Sequence, residues 1–198
     1  MSGKSNRIPT IHIIISSIVF LILVGIAGIF IWGSIQTYKF SQPESWKEYF
    51  YTQDNFKISV PSEPKMETKE TQGGQNVTIQ YNTYTSTSKT GTTYIVDVAT
   101  YPLQVEGANF KEFLDQVIQG SVKSTTGVTL VSSTQTTVGQ HPAANYLIKV
   151  DKDGQTAGYL KGEYILVGKT MYGVQIASEN KDSPDYDKFV NSFSLLNN

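Results

Sequence analysis

From Ile8 to Tyr38 the chain carries no Asp, Glu, Lys or Arg, and Ile13–Ile35 is aliphatic almost throughout. Those 23 residues, at a helical rise of ~1.5 Å each, reach about 34 Å, enough to cross a hydrocarbon layer of ~30 Å. A core helix of a water-soluble domain carries a polar stripe. Here only Ser16, Ser17, Gly25, Ala27 and Gly28 interrupt the aliphatic run up to Ile31. A cleavable secretory signal has a shorter apolar stretch and a small-residue cleavage site, and Ser34–Lys39 contains no such site. The chain also has no cysteine to carry a lipoprotein acyl group. Residues 11–38 therefore read as a retained single-pass transmembrane signal anchor, with the lipid bilayer as their partner. Residues 1–10 form a short cytoplasmic tail, 39–48 a linker and 49–198 an extracytoplasmic domain.

Trp32 and Tyr38 stand where an interfacial aromatic belt belongs. His12 falls at headgroup level, where a neutral imidazole needs no proton-relay role. The spacing of Gly25 and Gly28 departs from the small-xxx-small pattern of packed membrane helices. Lys4, Arg7 and the amino terminus precede the span, and Lys39 and Lys47 follow it with Glu44 and Glu48. Acids count little in orientation, so the positive-inside bias is slight. The cysteine-free, Thr-, Ser-, Asn- and Gln-rich remainder resembles envelope-facing domains, which places the amino terminus inside and the domain outside the cell membrane.

The part after the anchor suffices for one domain with a real core. Of 16 Lys+Arg two precede the span, which leaves 14 against 17 Asp+Glu, or about −3. That balance excludes nucleic acid as a partner held by counterion release. The missing cysteine excludes disulfides, zinc–thiolate sites and thiol nucleophiles together.

Ser41–Glu48 runs polar into the fold, with Trp46 placed to tuck against it. Phe56–Val60 then alternates apolar and polar until Pro61 stops it, the pattern of a half-buried edge strand. Lys65–Gln72 is a more polar strand ending at Gly73-Gly74. Val77, Ile79 and Tyr81 alternate in the next strand, and Tyr94, Val96 and Val98 share one face of Thr92–Tyr101. The period changes at Asn109. Phe110, Phe113, Leu114, Val117, Ile118 and Ser121 form one helical stripe, with Asn109 as cap, Glu112 at the capping-box position and Gly127 closing the element.

Strands resume with Thr129–Val138, a Gly139–Pro142 turn, and Asn145–Val150. Asp153-Gly154 marks a tight hairpin, and Gly168-Lys169-Thr170 joins Tyr159–Val167 to Met171–Ser178. A last helix has Ser183 as cap, Pro184 at its first position and Asp185 and Asp187 in its first turn. Tyr186, Phe189, Val190 and Phe193 form its apolar stripe. The expected class is α+β, an antiparallel β-sheet packed with two amphipathic helices as an α-β-α sandwich, preceded by one transmembrane helix.

Three stretches resemble the PsbP/Mog1 superfamily. They are the opening Phe56-x-Ile58-x-x-Pro61, the mid-domain Gly139-x-x-Pro142-Ala143 turn, and the hairpin Tyr159–Ser178 with the closing Phe189-Val190-x-Ser192-Phe193 helix. The resemblance covers about residues 46–196 and implies an α-β-α sandwich of the kind seen in thylakoid-lumen photosystem subunits and exported bacterial proteins. It implies accessory, assembly or binding roles without catalysis, and brings no ligand site with it. The photosystem members lack a retained anchor, which speaks against a photosynthetic role here.

Chemistry-bearing motifs are sparse. His141 is the sole histidine after the anchor and would be the base of any Ser-His-Asp triad; its place before Pro142 is accounted for by a turn. Gly168-Lys169-Thr170 ends like a phosphate loop, but Glu163 occupies the position where that loop needs its first Gly. Asp151-Lys152-Asp153-Gly154 lacks the Glu an EF-hand needs six residues on, where Leu160 stands. Asn76-Val77-Thr78 is a glycosylation acceptor only in a eukaryotic secretory pathway. No catalytic, cofactor or metal residue is assigned.

Seven tyrosines fall on expected strands: Tyr81, Tyr84, Tyr94, Tyr101, Tyr159, Tyr164 and Tyr172. Tyrosine packs well on a pleated, half-buried surface. Several aligned on a bare sheet face would instead make a platform for a protein or glycan partner. The expected function is a membrane-anchored, extracytoplasmic, non-enzymatic accessory or binding domain of the cell envelope, with an envelope protein or glycan as partner and no cofactor. The alternative is an envelope hydrolase using Asp or Glu with Tyr, which two carboxylates ~5–9 Å apart in a deep cleft would favour. A pilin-like subunit needs a processing site and a Glu near its start, and neither is present.

Overall fold

The computed structural model describes residues 44–73, 77–101, 110–123 and 125–196. The expected tail and span 1–38, the linker up to residue 43, Asn76 and the Asn109 cap lie outside them. Among the described residues no helix is long and apolar enough to cross a membrane.

Strands β1 (Lys47–Tyr51) and β2 (Phe56–Val60) open the domain around a 3-10 turn at Thr52–Asp54. The alternation seen in β2 is realised: Phe56, Ile58 and Val60 are buried while Lys57 and Ser59 are half-buried. β3 (Lys65–Gly73), β4 (Val77–Thr87) and β5 (Thr93–Thr100) follow, then helix α1 (Phe110–Lys123). After it come β6 (Val128–Val138), β7 (His141–Lys152), β8 (Gln155–Val167) and β9 (Thr170–Ser178), then α2 (Tyr186–Ser192) and β10 (Ser194–Leu195). Asp153 and Gly154 sit at φ 53° and 77°, the left-handed pair that a two-residue hairpin between β7 and β8 requires.

The described strands form two antiparallel sheets. The larger has seven strands in the order β3-β4-β5-β9-β8-β7-β6, and the smaller has three in the order β1-β2-β10. α1 lies on one face of the large sheet, seating Phe113, Leu114, Val117 and Ile118 against residues such as Ile79, Ile148 and Leu160. The small sheet and α2 lie on the other, where Phe56, Ile58 and Phe189 meet Val96, Val174 and Ile176. β5 and β9, at the middle of the sheet, are therefore buried on both faces, and their near-continuous apolar runs follow from that.

The α+β class, the antiparallel sheet and the two helices agree with the sequence reading. The layer opposite α1 differs from the expected one, since it is chiefly a small sheet and α2 has only 7 residues. β1 and β10 pair with β2, so Phe56–Val60 is the central strand of the small sheet and not the expected edge strand. β1 was not expected at all and begins inside the stretch read as a linker, and β10 adds a short strand after the expected helix. α2 also starts later than its expected Ser183 cap. The Ser183 carbonyl accepts from the Tyr186 N–H at 3.2 Å, a turn that precedes the helix.

Candidate functional site

The seven tyrosines do not form an open platform. Six are at most 5% exposed, and Tyr159 alone is half-buried. Tyr81, Tyr101 and Tyr164 face α1, whereas Tyr84, Tyr94 and Tyr172 face the small sheet. Each of these six positions lies under a covering layer, so the six rings are core. Their hydroxyls tie that layer down. Tyr84 donates to Asp54 Oδ2 at 2.5 Å, Tyr172 to the Asp54 carbonyl at 3.0 Å, and Tyr94 to Asp185 Oδ2 at 3.0 Å. Burial pushes the Tyr172 and Tyr51 phenols up to about 12.

Two acids stand out instead, on opposite faces of the large sheet. Asp97, on β5, is the one acid inside the apolar run Tyr94–Ala99, and it points to the α1 side with Ile95 and Ala99. It is 3% exposed. Thr83 Oγ1 donates to its Oδ1 at 2.8 Å, and Gln175 donates to its Oδ2. Gln175 in turn accepts from the Tyr146 hydroxyl. Burial lifts the Asp97 carboxyl to about 6, against the opposing pull of bonds from Thr83, Tyr81 and Gln175 and of the Lys69 charge. Room for this cluster comes from Gly162, where a Cβ would stand 2.6 Å from Gln175 Cβ and 2.7 Å from the Tyr146 hydroxyl.

The second acid is Glu163 on β8. The small sheet and α2 cover β5, β9, part of β8 and the Val138 and Ala143 ends of β6 and β7, and a groove opens between α2 and the rest of those two strands. It encloses about 620 Å³. Register places Thr134, Asn145 and Glu163 in one row across three adjacent strands on its floor. Tyr186, Val190 and Phe193 form the opposite wall, and Lys181, Asp182 and Asp187 also line it. Glu163 is 7% exposed, and burial raises its carboxyl above the ordinary value. Among the described residues it has neither a hydrogen-bond nor an ion-pair partner. The nearest cation along the strand, Lys161, instead lies over the Tyr186 ring, 4.1 Å from its centroid. The Tyr186 phenol is pushed up to about 12, first by burial and then by the Glu163 and Asp187 charges.

The other motifs are structural. His141 opens β7 opposite Val138 and is half-buried. Asp151 is held by Lys149 at 2.8 Å and accepts from Thr156 at 3.1 Å. Gly168-Lys169 is the turn between β8 and β9, with Gly168 at φ 60°. Among the described residues no group of three or more His, Cys, Asp or Glu side chains is placed to hold a metal.

The signal for Asp97 was present as an acid within an apolar strand. Glu163 shared its alternation with Lys161, which reads equally well as a solvated strand face. Only the shortfall of the second layer distinguishes the two.

No family model matches the chain, and no curated protein matches it. Among solved structures, the chain is similar to the cyanobacterial PsbP of Synechocystis sp. PCC 6803, at 10% identity and TM-score 0.48. That match covers 81% of this chain and 98% of the other. A Pseudomonas aeruginosa protein of unknown function described as a putative regulator matches at 11% identity and TM-score 0.38, over 72% of this chain and 89% of that one. The apo form of the immunity protein TplEi of the P. aeruginosa T6SS matches at 16% identity and TM-score 0.37, over 62% of this chain and 46% of that one.

Proposed function

We propose that this chain is a membrane-anchored, envelope-facing binding module without catalytic activity, in which residues 11–38 hold a PsbP/Mog1-like α-β-α domain outside the cell membrane. Its partner seats in the groove between α2 and strands β6 and β7. The observation that carries the reading is Glu163, a largely buried side chain whose carboxylate opens on the floor of the groove and has no partner among the described residues. Partial desolvation disfavours the Glu163 anion, and its carboxyl is raised accordingly; a partner that supplies hydrogen bonds or charge on binding would offset that cost. The two acids whose carboxyls burial raises stand on opposite faces of one sheet, an arrangement that supports binding over paired-carboxylate hydrolysis.

The test is photocrosslinking in native membranes. A photoreactive residue at Thr134 is compared with one at Lys65 on the far edge strand β3. A discrete adduct from position 134 and none from 65 is the expected outcome. Adducts from both positions alike, or from neither, would discard the groove as the partner site.

A further inference from the structure

The groove has a chemistry of its own, and the inference from it rests on the reading of this chain as a binding module. We propose that the groove takes an organic cation, the protonated amine or guanidinium of a small molecule or of a Lys or Arg side chain, and that the Glu163 carboxylate receives it.

Glu163 supplies two acceptor oxygens in a site shielded from water on most sides, where a charge-assisted hydrogen bond is stronger than at a surface. Neither lysine lining the groove satisfies it. Lys161 is committed to the Tyr186 ring, and neither Lys161 nor Lys181 forms an ion pair among the described residues. The lining acids Glu163, Asp182 and Asp187 outnumber Lys161 and Lys181, so the groove is net −1 and attracts positive charge.

The floor continues the recognition. Asn145 is directly opposite Glu163, and Thr134 is opposite Asn145. At ~4.8 Å per strand the row extends about 10 Å and offers amide and hydroxyl acceptors to donors that the carboxylate leaves over. Val190 and Phe193 give the aliphatic stem of such a cation an apolar wall. The volume of about 620 Å³ falls in the range of small-ligand sites.

The experiment uses the full chain in nanodiscs of zwitterionic lipid, with ligand-observed saturation-transfer NMR as readout. The probes are n-butylguanidinium, n-butylamine, the neutral n-butylurea, a GlcNAc disaccharide, and the tripeptide amide Gly-Arg-Gly. We expect both small cations to bind, n-butylurea to bind about tenfold or more weakly, and Glu163→Gln to weaken the cations by a similar factor. Unchanged cation binding in Glu163→Gln overturns the proposal. So does a urea or disaccharide that matches the cations, or the absence of cation binding.

The urea comparison needs only the wild-type chain, so it decides the matter even where Glu163→Gln folds poorly. A tripeptide much tighter than n-butylguanidinium identifies the source as a partner's side chain, and equal affinities identify a free amine. If the Thr134 crosslink persists while no cation binds, this inference fails and the module reading stands. If the crosslink is absent, the module reading itself fails.

Discussion

Asp97 couples the centre of the sheet to pH. Its carboxyl titrates at about 6 in the folded chain against an ordinary 3.8. Between those values the folded state keeps a proton that the unfolded state has released. Asp97 therefore lowers stability as pH rises through that window, and the loss levels off above it, at roughly 3 kcal/mol. Asn at this position removes the titration, and Gln175 and Thr83 remain able to bond it. We expect Asp97→Asn to gain on wild type by about 2 kcal/mol between pH 4 and 7.5, measured as the difference in urea midpoints at each pH. A difference that is flat with pH rejects the account. Gly162→Ala tests the same cluster sterically. Its new methyl meets Gln175 and Tyr146, and overpacking of this kind costs about 1–3 kcal/mol. Midpoints unchanged within about 0.3 kcal/mol would show that the cluster yields. Asp97 was legible as a lone acid in an apolar run, but its partners were not, because Thr83, Gln175 and Tyr146 come together only through strand register.

Elements whose burial follows from their own period were legible. β2 is found with its expected bounds, α1 buries Phe113, Leu114, Val117 and Ile118 of the expected stripe, and the β7–β8 turn falls on Asp153-Gly154. β1 was not, because Lys47-Glu48-Tyr49-Phe50-Tyr51 has little alternation and Phe50 remains 59% exposed. It is a strand because β2 offers it an edge and because Trp46 docks ahead of it. The Trp46 ring meets Tyr94 edge-on at 5.1 Å and carries the Lys188 ammonium 4.0 Å from its centroid. One residue thus links β1, the large sheet and α2. Trp46→Ala should cost about 2–3 kcal/mol, and hydrogen exchange should quicken in both β1 and α2. Faster exchange in β1 alone would mean that Lys188 does not transmit the contact. The groove was illegible for a related reason, since it arises where a short second layer ends over a longer sheet.

At the scale of the whole molecule, the proposed tether would limit what the groove can meet. Both hydrophobic clusters are built from residues between Trp46 and Leu195, so the described core needs nothing before residue 44. A chain lacking residues 1–43 should then remain soluble and unfold in one cooperative transition. The full chain should stay in the membrane pellet after washes with high salt and alkaline carbonate and leave it only in detergent, as a spanning segment requires and a surface-adsorbed helix does not. From residue 39 to 46 an extended chain reaches at most about 28 Å, so the proposed anchor would confine the groove to the layer of solvent next to the lipid. Protease added to intact cells should consequently remove the domain and leave a short fragment in the membrane. The same protease should spare a cytoplasmic control until the cells are lysed. If the domain is cut only after lysis, the orientation is reversed and the groove meets cytosolic partners. If the chain leaves the membrane in carbonate, residues 11–38 do not span, and the distance limit on its partner goes with them.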